Sequence, residues 1–151
     1  MLLPVRPIAG FFMLAIALAS VGCDDSGLGD VVPLTGVVLL DGKPAPDVSL
    51  TLVPQIGVQG RGGYAKSAAD GSFEFQASPE IVGVLPGKYR VLIQKYAMPD
   101  GSPIPPNTSA AEVGLVNELP SLYSNPETCP LFANVPADNA GPLTFELKSR
   151  P

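Results

Sequence analysis

Lys66-Ser67, Asp24-Asp25 and the cysteines Cys23 and Cys129 are the residues whose types and spacing could do chemistry. A serine nucleophile needs a base in reach. Neighbours on a strand point to opposite faces, so Lys66 does not serve Ser67. The chain has no histidine, so the commonest general base and the commonest transition-metal ligand are missing together. Asp24-Asp25 sits among Ser, Gly and further acids, where water screens it, which argues against a dyad sharing a proton. Asp41, Asp47 and Asp70 lie in turn-forming sequence and read as makers of local turn hydrogen bonds rather than calcium ligands. The usual catalytic constellations are absent, so no enzyme activity is expected, and no cofactor or metal is implied.

Aromatic contacts are the remaining candidates. Of Tyr64, Tyr89, Tyr96 and Tyr123, Tyr89 alternates with core residues and reads as core. Tyr96 and Tyr123 border long loops and are the candidate ligand contacts. The two cysteines invite the reading of one disulfide in an exported domain. The sequence around Cys23 points elsewhere.

Arg6 and the amino terminus form a positive start, and Ile8 to Val21 is an uncharged, largely apolar run of 14 residues. A membrane-spanning helix needs about 20, so this length suits a signal-peptide core. Ala19-Ser20-Val21-Gly22-Cys23 follows, small residues and then a cysteine. This resembles the bacterial lipobox, although Ser20 stands where that motif favours Leu. The resemblance implies cleavage between Gly22 and Cys23 and a lipid on the Cys23 thiol. An ordinary secretory signal or a buried apolar helix are the other readings. A lipidated Cys23 leaves Cys129 unpaired, to pack as a small apolar residue. Residues 1–22 are thus expected as signal peptide and 23–32 as a lipidated tether, placing the protein on a membrane on the exported side.

Composition bounds the rest. The 151 residues allow one domain, and 16 Gly and 18 Pro fall between short periodic runs. Many turns between short strands mean an all-β fold. Net charge is −5, and −6 once Arg6 is removed with residues 1–22. An acidic chain without a basic cluster is not expected to bind nucleic acid.

The strand that organises the domain is Leu85 to Lys95. Tyr89, Val91 and Ile93 point inward while Lys88, Arg90 and Gln94 point out. Leu34–Leu40 reads as a covered strand, and Val48, Leu50 and Leu52 mark another. Asp41-Gly42 is a turn in which both residues accept positive φ. Asp70-Gly71 predicts a hairpin with a type I′ turn between Tyr64–Ala69 and Ser72–Gln76. Residues 97–130 read as a long Pro-rich loop region, with a short helix near 109–119 from a capping-box spacing. Leu131–Val135 and the alternation of Leu143, Phe145 and Leu147 close a β-sandwich of about seven strands spanning 33–148.

Thr35-Gly36-Val37-Val38, Asp41-Gly42-Lys43-Pro44, Ala69-Asp70-Gly71-Ser72-Phe73 and Leu85-Pro86-Gly87-Lys88-Tyr89-Arg90-Val91 resemble the carboxypeptidase regulatory-like, transthyretin-like β-sandwich, within the wider immunoglobulin-like class. With the signal peptide and the tail from Leu119-Pro120-Ser121-Leu122-Tyr123 to Phe145-Glu146-Leu147, the chain resembles small envelope lipoproteins of planctomycete bacteria. That resemblance implies a non-catalytic envelope module with structural or protein–protein roles, or else one that contacts a glycan or peptide.

Overall fold

The computed structural model describes residues 30–59, 61–102, 104, 105, 108, 113–136 and 141–150. Gly22, Cys23, Asp24-Asp25, the signal segment and most of the tether lie outside them. Twelve strand segments follow one another: β1 Thr35–Leu40, β2 Lys43–Pro44, β3 Ser49–Pro54, β4 Gly63–Lys66, β5 Ser72–Glu74, β6 Gln76–Ser78, β7 Ile81–Val82, β8 Gly87–Gln94, β9 Tyr96–Ala97, β10 Val116–Asn117, β11 Phe132–Val135 and β12 Leu143–Leu147. The fold is an all-β sandwich. The segments outnumber the seven expected strands because turns and crossovers cut several runs short, four of them to two residues.

β8 is the longest strand of the larger sheet and an interior one, in the order β11-β8-β3-β4-β6-β7. It pairs antiparallel with β3 from Ser49↔Gln94 to Pro54↔Tyr89 and with β11 from Phe132↔Arg90 to Val135↔Gly87. Tyr89, Val91 and Ile93 are fully buried, as the alternation required. Leu50 and Leu52 from β3 and Ala65 from β4 share their face. In the second sheet β1 runs parallel to β12 and antiparallel to β2 and β5. It sends Val38, Phe73, Phe145 and Leu147 into the same core. Phe73 meets Phe75 edge-on at 5.2 Å and stacks on Phe145 at 5.7 Å. Each large apolar side chain buried here contributes about 1.5–3 kcal/mol.

Two turns exchange the roles the sequence suggests. Asp41 (φ 50) and Gly42 (φ 80) are both left-handed and join β1 to β2, with Leu40 opposite Lys43; this is the type I′ turn. In Asp70-Gly71 only Gly71 takes positive φ, at 78. The Gly71 N–H donates to the Ala68 carbonyl at 2.9 Å and the Ala68 N–H to the Ser72 carbonyl at 2.8 Å. The expected hairpin does not continue from there. β4 pairs with β3, and β5 pairs with β1 in the other sheet. The chain leaves at once because Phe73 is needed against Phe145. At the buried Phe75 it crosses back, and β6 rejoins β4 through Tyr64↔Gln76.

The Pro-rich region also departs from a loose loop. Leu119, Tyr123 and Cys129 are buried, and Ser121–Tyr123 forms one turn of 3₁₀-helix. The Tyr123 hydroxyl accepts the Lys148 N–H at 3.0 Å, beyond the end of β12. The Cys129 Sγ–H donates to the Val91 carbonyl of β8 at 3.1 Å. This segment therefore ties the two sheets together. Of the helix expected near 109–119, residues 109–112 lie outside the described residues. Beyond them Gly114 is left-handed (φ 63), a conformation that ends helices, and Val116–Asn117 pairs with β9.

Candidate functional site

Where β3 begins, its ladder with β4 holds one residue too many. The Asp47 N–H donates to the Ser67 carbonyl at 3.1 Å, and the Ser67 N–H donates to the Val48 carbonyl at 2.9 Å. Asp47 and Val48 thus both stand opposite Ser67, with Asp47 left-handed at φ 58. This is a G1-type β-bulge carrying aspartate where glycine is the usual choice. A non-glycine residue held there costs on the order of 1–3 kcal/mol, and such strain gathers at functional positions. The bulge aims the Asp47 carboxylate at Lys66 Nζ, 2.8 Å away, with both side chains largely exposed.

Beside the bulge opens a groove of about 470 Å³. Asp47, Ser49, Lys66, Lys95, Tyr96 and Ile104 are among its lining residues. Tyr96 is 36% exposed, and Ile104 is exposed beside it. Tyr96 is fixed by the β9–β10 ribbon, with Asn117 directly opposite. The Asn117 Oδ1 accepts the Lys95 N–H at 3.0 Å and the Leu119 N–H at 3.2 Å, closing the base of that ribbon. Lys95 pairs with Glu118. At the rim the Asp100 carboxylate accepts the Ser102 hydroxyl at 2.7 Å and the Ser102 N–H at 3.0 Å, which hold its pKa below 3.8.

Each lysine of the groove is thus matched by a carboxylate. What remains is an aromatic face, an aliphatic neighbour and hydroxyl groups, a set that can stack on and hydrogen-bond to a ligand. Among the described residues no three His, Cys, Asp or Glu side chains gather as metal ligands would. Asp70 makes the expected local turn bond, accepting the Ser72 hydroxyl at 2.6 Å. Asp41 does not: its carboxylate accepts the N–H of Ser149, just past β12, at 3.2 Å, a long-range bond in place of a local one.

Of the two tyrosines named from sequence, Tyr96 lines this groove and Tyr123 does not. Tyr123 is 8% exposed, and its hydroxyl is occupied by Lys148, so it is a core residue and not a ligand contact. Tyr64, one of the four tyrosines weighed from sequence but not among the two preferred, is 44% exposed and lines a second groove. Its signal was present. In Gly63-Tyr64-Ala65-Lys66 the small residues alternate with Tyr and Lys, so the ring shares the wet face with a lysine.

No protein-family model, curated protein or solved structure matches this chain.

Proposed function

We propose that this chain is a non-catalytic, lipid-anchored β-sandwich module of the bacterial cell envelope, acting through contacts with other envelope proteins. The observation that carries this reading is the position of the groove relative to the tether. Val32 exchanges hydrogen bonds with Val84 at 2.8 and 3.0 Å, so the tether joins the domain just before β8 begins. Tyr96 follows the other end of β8, and Asp47 precedes β3 at that same end. Eight residues of strand separate the two places, about 25 Å at the usual rise. A lipid on Cys23 would hold the first end near the bilayer and turn the groove away from it. The apolar run before Cys23 and the resemblance to transthyretin-like envelope lipoproteins support the same reading.

Intact-mass spectrometry on membrane-extracted protein tests the anchor. A mature chain starting at Cys23 with added acyl mass, lost in Cys23→Ser, is the expected result. A Cys23–Cys129 disulfide, or cleavage elsewhere without lipid, ends the proposal. A photo-crosslinking side chain at position 96 tests the contact, and should capture a defined envelope protein that the same side chain at the buried position 123 does not.

The groove also favours a second reading, a module that binds a glycan or peptide. Exposed Tyr96 beside Ile104 is the observation behind it. Saturable binding lost on Tyr96→Ala would support it.

A further inference from the structure

The groove beside Tyr96 does not end at the bulge. A second groove of about 920 Å³ runs along β3, β4 and β5, with Thr51, Tyr64, Ser72, Glu74 and Gln76 among its lining residues. Ser49 and Lys66 line both grooves. These two residues face each other across β3 and β4. Tyr64 lies two positions before Lys66, on the same face of β4. On the other side Ser49 pairs with Gln94, two positions before Tyr96. A continuous surface therefore leads from Tyr64 over the Lys66–Ser49 pair to Tyr96. Sheet spacings put the two rings on the order of 15 Å apart.

We propose that this surface is one track for a linear, uncharged glycan, with Tyr64 and Tyr96 as its two stacking platforms; the proposal rests on the reading of the chain as a binding module. A phenol ring offers a flat apolar face to the C–H side of a sugar ring and a hydroxyl to its rim. Sugar hydroxyls leave water only where they find partners, and Thr51, Ser49, Ser72 and Gln76 supply donors and acceptors along the track. The charges do not call for an ionic ligand. Asp47 is paired with Lys66, and Glu118 with Lys95. Glu74 and the net charge of −5 disfavour polyanions. A peptide adding as a strand needs an open sheet edge; β3, beneath the middle of the track, is paired on both sides by β4 and β8, whereas β5 at its end pairs with β1 on one side only. The fold also keeps a strained Asp47 where the two grooves meet, which bends the strand at that point.

Affinity electrophoresis of the full chain in detergent, through gels containing soluble polysaccharides, tests this. Laminarin, hydroxyethyl cellulose and galactomannan serve as uncharged probes, with polygalacturonate as the charged control. Retardation by at least one uncharged polymer is expected. Tyr64→Ala and Tyr96→Ala should each weaken it about three- to ten-fold, the range of one aromatic contact. Tyr64→Phe should retain it. Both tyrosines are exposed, and matching thermal melts confirm that the variants fold. Loss with only one tyrosine overturns the continuous track, and retardation by polygalacturonate alone overturns the ligand class. If no polymer retards the chain while it carries acyl mass on Cys23 and crosslinks an envelope protein through position 96, the glycan proposal falls and the module reading stands.

Discussion

The Val48 amide donates to the Ser67 hydroxyl, 2.9 Å away. The bulge at Asp47 would otherwise leave that amide without an acceptor, since the Ser67 carbonyl is taken by Asp47. The same hydroxyl donates onward to the Ala45 carbonyl at 2.7 Å. Ser67 is 5% exposed. Its burial is thus explained by two backbone groups that water does not reach.

Ser67→Ala should therefore destabilise the domain well beyond the loss of one neutral hydrogen bond. It strands a buried N–H and a buried carbonyl, at about 1–3 kcal/mol. The midpoint of urea denaturation should fall with an unchanged slope. An unchanged midpoint would mean the bulge does not depend on Ser67.

Gly71 and Gly42 allow two effects to be separated. Both are left-handed, at φ 78 and 80. A Cβ on Gly42 meets nothing within 4 Å, whereas one on Gly71 lies 2.6 Å from the Val38 carbonyl and 3.2 Å from the Ala45 amide. Gly42→Ala should show only the left-handed penalty, about 1–2 kcal/mol. Gly71→Ala should exceed it, and Gly71→Val should lose more still, because the side chain presses on β1 backbone. Equal melting temperatures for the two alanine variants would refute this packing.

These turns also show what a sequence can and cannot disclose. Asp-Gly at 41–42 and at 70–71 is the same dipeptide, yet only the first forms the type I′ turn. The difference lies in which sheet the following strand joins, decided by Phe73, Phe75 and Phe145 meeting across long sequence distances. Strands β3, β8 and β12 were legible because each buries one alternating face. Tyr123 was not, since an irregular chain that buries single residues leaves no period to read. The groove at Tyr96 was half legible. Its aromatic could be named, but the bulge depends on a side chain twenty residues away in sequence, Ser67 from Asp47.

Cys129 should be chemically quiet in the native protein. Burial pushes its thiol above 9.0, and its Sγ–H is directed at the Val91 carbonyl. The thiolate, the reactive form, is thus scarce at neutral pH. In a Cys23→Ser chain iodoacetamide should leave Cys129 unmodified until denaturant is added. Rapid native labelling would contradict this placement.

The acid side of the stability profile should report Asp70. The Ser72 hydroxyl and then the Ser72 N–H hold its carboxyl below the ordinary 3.8. A carboxylate with a depressed folded pKa stabilises above its unfolded pKa, and that contribution disappears as pH falls through the folded value. The melting-temperature gap between wild type and Asp70→Asn should be steady from neutral pH to about 4 and narrow below it. A gap constant through that range would show that the carboxylate charge is not involved.

The parallel pairing of β1 with β12 has a mechanical consequence. The chain enters β1 at one end of the sandwich and leaves β12 at the opposite end, with five register pairs between the two strands. Tension applied before β1 and after β12 would slide the strands past each other along their length. The ladder bonds would then share the load in shear rather than open one after another like a zipper. A module held at one end by a membrane and pulled from beyond its last strand would thus meet the force with its whole terminal ladder at once.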